Sequence, residues 1–88
     1  MIDTTDALRN HQLVILRRLR SGPLTEFELA NEVAEHSSYT VEQCADSMQD
    51  WLEELRLEGL VWAGALLNAE SQRITAAALT KRGMQLVG

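Results

Sequence analysis

The sequence predicts one α+β domain in which three helices precede a β-hairpin and a short closing helix. Two observations support this order. In the first two thirds of the chain, apolar residues recur at helical spacing, and two capping boxes mark helix starts. After Gly59 the helical spacing gives way to partly alternating apolar residues, as in strands. At 88 residues, the chain has the length of one domain, residues 1–88, with a modest hydrophobic core.

The first helix is predicted from about Asp6 to Arg20. An apolar stripe at helical spacing gives it a core-facing side, formed by Leu8, Ile15 and Leu19, with Leu16 beside the stripe. The helix ends at Ser21-Gly22-Pro23, because glycine suits a left-handed C-terminal position and proline cannot continue the backbone hydrogen bonds.

The second helix is predicted over residues 26–35. Thr25 is its N-cap, and Glu28 completes a capping box, in which the two side chains bond each other's backbone amides. Its expected buried face comprises Phe27, Ala30, Val33 and Ala34.

The third helix has the clearest pattern. Thr40 and Gln43 form a second capping box, and Gly59 ends the helix. Seven residues fall within an arc of about 120° and predict one core face: Val41, Cys44, Ala45, Met48, Trp51, Leu52 and Leu55.

Two partly alternating apolar runs, residues 60–67 and 73–79, follow Gly59 and predict the hairpin. The polar residues 68–72 form its loop, and three consecutive alanines weaken the second strand. Thr80 caps a final helix that runs through Val87, and both tryptophans, Trp51 and Trp62, are expected in the core.

The amino-acid composition indicates which broad class of protein this is. Hydrophobic residues make up 45% and charged residues 24% of the chain, as in ordinary globular domains. Cys44 is the single cysteine, which excludes an internal disulfide and favours a reducing compartment. The first residues lack the features of a signal peptide, and residues 60–67, the longest apolar run, are too few to span a bilayer. We therefore expect a cytoplasmic protein without a membrane span.

The charge distribution is uneven. The net charge is −5, with +2 in residues 1–20, −4 in residues 21–40, −5 in residues 41–59 and +2 in residues 60–88. A dedicated nucleic-acid-binding domain normally has a basic excess, so this balance argues against strong DNA binding.

An acidic row of four carboxylates, spaced every four residues, lies on the predicted outer face of the third helix: Glu42, Asp46, Asp50 and Glu54. One interpretation is a solvated face that keeps the protein soluble. A second is a docking surface for a basic protein, with Leu57 projecting from the same side. Carboxylates also oppose contact with phosphates.

Four short stretches resemble the winged helix-turn-helix superfamily, in particular small bacterial regulators of the multiple-antibiotic-resistance and arsenic-repressor type. They occur in the family's order over nearly the whole chain: Ile15-Leu16 to Leu24-Thr25, Glu28-Leu29-Ala30, Leu55 to Val61 with Glu58-Gly59-Leu60-Val61, and Leu79-Thr80-Lys81-Arg82-Gly83. The resemblance implies a winged-helix fold, and it is less specific for function.

The resemblance also implies a DNA interface, in which the third helix enters the major groove and the hairpin, or wing, reaches the neighbouring backbone or the minor groove. The matching positions are Ser37, Ser38, Tyr39, Gln43 and Ser47 near bases or phosphates, with Arg73 as the wing arginine. The third helix departs from the family because it is about two turns longer and its outer face is acidic.

No catalytic or metal-binding pattern stands out. His11, His36 and Cys44 lack metal-ligand spacing, and the chain has no phosphate loop or nucleophile motif, so we predict a non-enzyme without metal or cofactor. Two functions stay open: a DNA-binding, transcription-regulator-like domain, and a protein-binding adaptor or antagonist that uses the acidic row. A homodimer is also open, although nothing in the sequence supports it.

Overall fold

The computed structural model describes residues 10–67 and 69–88. In chain order the elements are α1 (Asn10–Leu19), β1 (Leu24–Thr25), α2 (Glu26–Glu35), α3 (Val41–Leu57), β2 (Val61–Leu67), β3 (Arg73–Leu79) and α4 (Lys81–Val87). The predicted start of the first helix at Asp6, with Leu8 of its apolar stripe, lies outside the described residues. The α+β order of three helices, hairpin and closing helix is confirmed.

Both capping boxes form as predicted. At α2, the Thr25 hydroxyl accepts from the Glu28 amide at 3.3 Å, and the Glu28 carboxylate accepts from the Thr25 amide at 3.3 Å. At α3, the Thr40 hydroxyl accepts from the Gln43 amide at 3.1 Å, and Oε1 of Gln43 accepts from the Thr40 amide at 2.9 Å. The start of each helix is therefore fixed by contacts within four residues of sequence.

Gly59 ends α3 in the left-handed conformation, with φ of 75°. The Leu60 amide donates to the Leu55 carbonyl at 3.0 Å, and the Gly59 amide donates to the Arg56 carbonyl at 2.9 Å. This pair of bonds is a Schellman motif, which satisfies the last carbonyls of the helix and turns the chain into β2.

The sheet has three strands in the order β1-β3-β2, so the prediction of a two-stranded hairpin was incomplete. Leu24 and Thr25 of β1 pair antiparallel with Ala77 and Ala76 of β3. A strand of two residues is too short to show an alternating pattern, so it left no signal in the sequence. The alanine-rich β3 is the central strand because it has a partner on both sides.

The core lies between the helices and the inner face of the sheet. Its buried hydrophobic residues are Ile15, Leu16, Leu19, Leu29, Ala30, Val33, Cys44, Met48, Trp51, Leu52, Leu55, Leu60, Val61 and Ala77. Five of the seven residues on the predicted core face of α3 are buried. Burial raises the pKa of the Cys44 thiol, as expected for a structural cysteine.

Four predicted core residues are instead exposed. Trp62 is 70% exposed, Phe27 53% and Val41 45%, and Ala45 is also exposed. Trp62 alternates with the buried Val61 along β2 and so points to the outer face of the sheet. Phe27 and Val41 each lie in the first turn of a helix, at the margin of the apolar stripe. The helical period places these two residues near the core, but no element among the described residues covers them.

The closing helix α4 is fixed to the start of β2. The Thr80 amide donates to the Leu60 carbonyl at 3.1 Å, and the Thr80 hydroxyl donates to the Gly59 carbonyl at 2.6 Å. Gly83 packs so closely that a Cβ atom there would overlap the Leu60 carbonyl oxygen. Among the described residues, no helix is both long and apolar enough to cross a membrane.

Candidate nucleic-acid interface

The turn between α2 and α3 is shaped by Ser37. Its hydroxyl donates to the Val33 carbonyl at 2.7 Å and accepts from the Tyr39 amide at 3.2 Å. This hydroxyl therefore already satisfies the backbone of the turn, which leaves Ser38, exposed beside it, freer to contact a ligand.

Tyr39 is held by an aromatic cluster that the sequence analysis missed. His11 of α1 stacks on Trp51 of α3, with ring centroids 4.2 Å apart and an angle of 26° between the rings. The Tyr39 ring lies 5.7 Å from Trp51 and 6.4 Å from His11. The two ring contacts hold Tyr39 in place, and 43% of the residue stays exposed to solvent. No sequence period links three aromatic rings from α1, a turn and α3, so no local signal could have revealed the cluster.

The first turns of α3 present the remaining candidates on this helix. Gln43 is exposed, but its Oε1 atom is used to cap the helix, so its amide NH₂ group is the part left for a ligand. Ser47 is half-buried, one turn further along. The structure therefore places Ser38, Tyr39, Gln43 and Ser47 in one segment, at the N-terminal end of α3.

A groove of about 380 Å³ separates the middle of α3 from the hairpin. Polar and charged side chains of α3 line one wall, and small residues of β2 and β3 line the other: Gln49, Asp50, Glu53 and Arg56 face Ala63, Gly64, Ala65 and Thr75. A nucleic-acid backbone entering this groove would meet two carboxylates and one guanidinium.

The acidic row does not act as one continuous surface. Glu54 accepts a hydrogen bond from Nε2 of Gln12 on α1 at 3.0 Å. Its neighbour Glu53 is paired with Arg56, whose Nε donates to Oε2 at 2.8 Å while Nη2 contacts Oε1. This pair holds the pKa of Glu53 below its ordinary value. In the described part of the chain, none of the ion pairs includes Glu42, Asp46 or Asp50.

The basic residues at the two ends of β3 lie far apart. Arg73 begins β3 and Lys81 follows its end, so a strand length of about 20 Å separates them. Arg18 is paired with Glu32 of α2 at 3.5 Å, and Nη1 of Arg20 donates to the Val87 carbonyl at 3.2 Å. Only Arg73 lies on the hairpin, where the resemblance placed a wing arginine.

A second cleft, of about 400 Å³, lies between α1 and α2. At its edge, ligand atoms of Glu32, Glu35 and His36 lie within 4.8 Å of one another, a grouping that the sequence analysis did not identify. Glu32 is already paired there with Arg18, and it lies 3.4 Å from Nε2 of His36. The contact of Glu32 with Arg18 therefore links α1 to α2 at this cleft.

Comparison with known proteins found similar solved structures but no similar sequences. No protein-family profile matches the chain, and no curated protein sequence matches it. A solved transcriptional regulator from Thermoplasma acidophilum is 22% identical, with a TM-score of 0.74, over 88% of this chain and 72% of that protein. Bacillus subtilis PadR, solved with operator DNA, is 22% identical, with a TM-score of 0.71, over 90% of this chain and 45% of PadR.

A third solved structure, MepR of S. aureus in complex with DNA, is 20% identical, with a TM-score of 0.61. The match covers 96% of this chain and 62% of MepR, so the chain spans about half to three quarters of the three proteins it matches. At these identities the likeness shows the fold: the chain is a winged helix, as the sequence motifs predicted.

Proposed function

We propose that this winged-helix chain is a small DNA-binding, transcription-regulator-like domain without catalytic activity. The observation that carries the proposal is the preorganised start of α3. There the turn is closed by Ser37, the helix is capped by Thr40, and Tyr39 is held in place yet 43% exposed. A rigid, exposed helix start is the part of this fold that reads base edges in related complexes. The buried, free Cys44 is in keeping with work in the cytoplasm.

In the proposed complex, Ser38, Tyr39, Gln43 and Ser47 lie near the bases or phosphates of one major groove. Arg73 contacts a phosphate from the hairpin. Ser37 contributes through the shape of the turn, because its hydroxyl is bonded to the backbone on both sides.

The charges limit the affinity of this complex. Asp50 and Glu53 line the groove between α3 and the hairpin, and they repel a phosphate that enters there. Arg56 offsets Glu53, which leaves Asp50 without an ion-pair partner among the described residues. We therefore expect weak binding to DNA of random sequence, with measurable affinity only at low salt.

The direct test is fluorescence anisotropy of a random-sequence duplex, titrated with the protein over a salt series from low ionic strength. Binding in roughly the micromolar range that weakens linearly in a plot of log affinity against log salt supports phosphate contact. Absence of binding at the lowest salt contradicts the proposal.

The second candidate is a protein-binding adaptor that docks a basic partner on the acidic row. One observation favours it: Leu57, on the same side of α3 as Glu42 and Asp46, is 72% exposed. Isolated exposed leucines are common on protein surfaces, so this candidate ranks below DNA binding. Capture of a basic protein that is lost on the double substitution Asp46→Lys with Asp50→Lys, in a variant that stays folded, would favour the adaptor.

A further inference from the structure

The outer edge of the hairpin is unprotected. In the sheet order β1-β3-β2, β2 lies at the edge, and no described strand pairs with its outer side. Natural edge strands carry lysine, proline or a bulge that blocks pairing with another chain. Residues 61–67 contain no charged residue and no proline, and their register with β3 runs without a bulge.

Exposed apolar surface concentrates on this strand. Trp62 and Leu67 are each 70% exposed, and Leu66 is 56% exposed. Three of the four most exposed large hydrophobic residues of the described chain therefore lie on seven consecutive residues. Such a grouping on an open sheet edge is characteristic of a pairing surface.

The strand is complementary to itself. Gly64 is the central residue of Val61–Leu67, so two copies can pair antiparallel about a two-fold axis at Gly64. In this register Trp62 lies opposite Leu66 of the second copy and Ala63 lies opposite Ala65. The large residues then meet in cross-strand apolar pairs on one face, twice in each dimer.

We infer that β2 pairs with β2 of a second copy of this chain, which joins two three-stranded sheets into one of six strands. No charged residue lies between Glu58 and Glu70, so the strand offers no group that would select a basic or acidic partner. Antiparallel pairing of two copies of β2 therefore places no charged residue of one strand opposite a charged residue of the other. A two-fold interface is closed, so pairing stops at the dimer.

Disulfide cross-linking tests the register. Opposed residues in an antiparallel pair have Cα atoms about 4.5–5.5 Å apart, which suits a disulfide. Gly64→Cys is well placed, because a Cβ atom at Gly64 has open space around it and the backbone there has no positive φ. We expect Gly64→Cys to form a covalent dimer under mild oxidation, at a level at least about tenfold above Trp62→Cys or Leu66→Cys alone.

The matched controls use the same strand. An equimolar mixture of Trp62→Cys and Leu66→Cys should cross-link where each variant alone does not, because these two positions face each other. The wild-type protein measures the background from Cys44, whose thiol is buried. If Gly64→Cys cross-links no more than the other two single variants, the proposed register is wrong.

Sedimentation equilibrium without DNA tests the pairing itself, independently of the proposed DNA binding. The wild type should show a concentration-dependent monomer–dimer equilibrium, and Leu66→Lys should weaken it at least about tenfold by placing two like charges in the contact. Leu57→Lys is the control, because Leu57 is also an exposed leucine, at 72% against 56% for Leu66, but lies on α3. A wild-type protein that stays monomeric up to about millimolar concentration, or an equal effect of both lysine variants, overturns the proposal.

Discussion

Gln12 of α1 donates a hydrogen bond from Nε2 to Oε2 of Glu54 on α3, at 3.0 Å. Glu54 is the last member of the acidic row, which the sequence placed on the face opposite the core. Residues four apart advance by about 40° around a helix, so the end of the row lies roughly 120° from Glu42. Glu54 thereby reaches α1 and contributes to helix packing, while Glu42, Asp46 and Asp50 stay on the solvent side.

Gln12→Ala should lower the free energy of unfolding by about 1–2 kcal/mol, because the change removes a buried side chain and its bond to a charged group. Urea denaturation followed by circular dichroism measures the effect. Asp46→Asn, on the exposed face of α3, should change stability by less than about 0.5 kcal/mol. Equal effects of the two changes would mean that the contact between α1 and α3 does not stabilise the fold.

Neutralising the exposed carboxylates should strengthen DNA binding. The double variant Asp46→Asn with Asp50→Asn should bind a random duplex several-fold more tightly at low salt, because two charges that repel phosphate are removed. Glu54→Gln should change affinity less, since its carboxylate is turned towards α1. Anisotropy titrations measure the affinity of the wild type and of both variants for the duplex. Unchanged affinity in the double variant would place the acidic row away from the DNA.

Arg73→Ala should weaken DNA binding and reduce the slope of log affinity against log salt by about one, as expected for the loss of one phosphate contact. Arg20→Ala is the matched control, because the Arg20 guanidinium donates to the Val87 carbonyl at the other end of the domain. The same salt series measures both variants. A slope that stays unchanged in Arg73→Ala removes Arg73 from the proposed interface.

Gly83→Ala should destabilise the protein by about 1–3 kcal/mol, because the added methyl group would overlap the Leu60 carbonyl oxygen and displace α4. Met84→Ala, at the next position on α4, truncates a side chain that is 42% exposed and should have a smaller effect. Thermal denaturation compares the two variants. A tolerated alanine at position 83 would show that α4 is free to move away from β2.

Glu53 should show a pKa below that of an ordinary glutamate, because Arg56 donates hydrogen bonds to its carboxylate. A carboxyl group whose pKa is lowered by folding contributes stability above its unfolded pKa, and this contribution is lost as pH falls through the folded pKa. Arg56→Gln should move the pKa of Glu53 upwards, as measured by NMR titration of the side chain. A pKa that does not change would show that the pair is not formed in solution.

Local sequence patterns predicted the helices and most of their ends. Thr25 with Glu28 and Thr40 with Gln43 form their capping boxes from residues three apart, and Gly59 adopts the conformation that ends α3. The local sequence predicts these features because all the interacting groups lie within one or two helical turns of each other. The same holds for the candidate residues Ser38, Tyr39 and Gln43, which lie together because they are neighbours in sequence.

Contacts between segments distant in sequence decided burial, strand pairing and the pairing of acidic side chains. Trp51 and Trp62 look alike in the sequence, yet one is 8% exposed and the other 70%, because α1 covers Trp51 and no described element covers the outer face of β2. The two-residue strand β1 exists only through its pairing with β3. The sequence by itself determined the helices, their caps and the order of helices and hairpin, since these depend on short-range hydrogen bonds and on the spacing of apolar residues. The tertiary structure decided which side chains are covered, which acidic residues are paired and which sheet edge stays open, since burial and pairing depend on partners far apart in the chain.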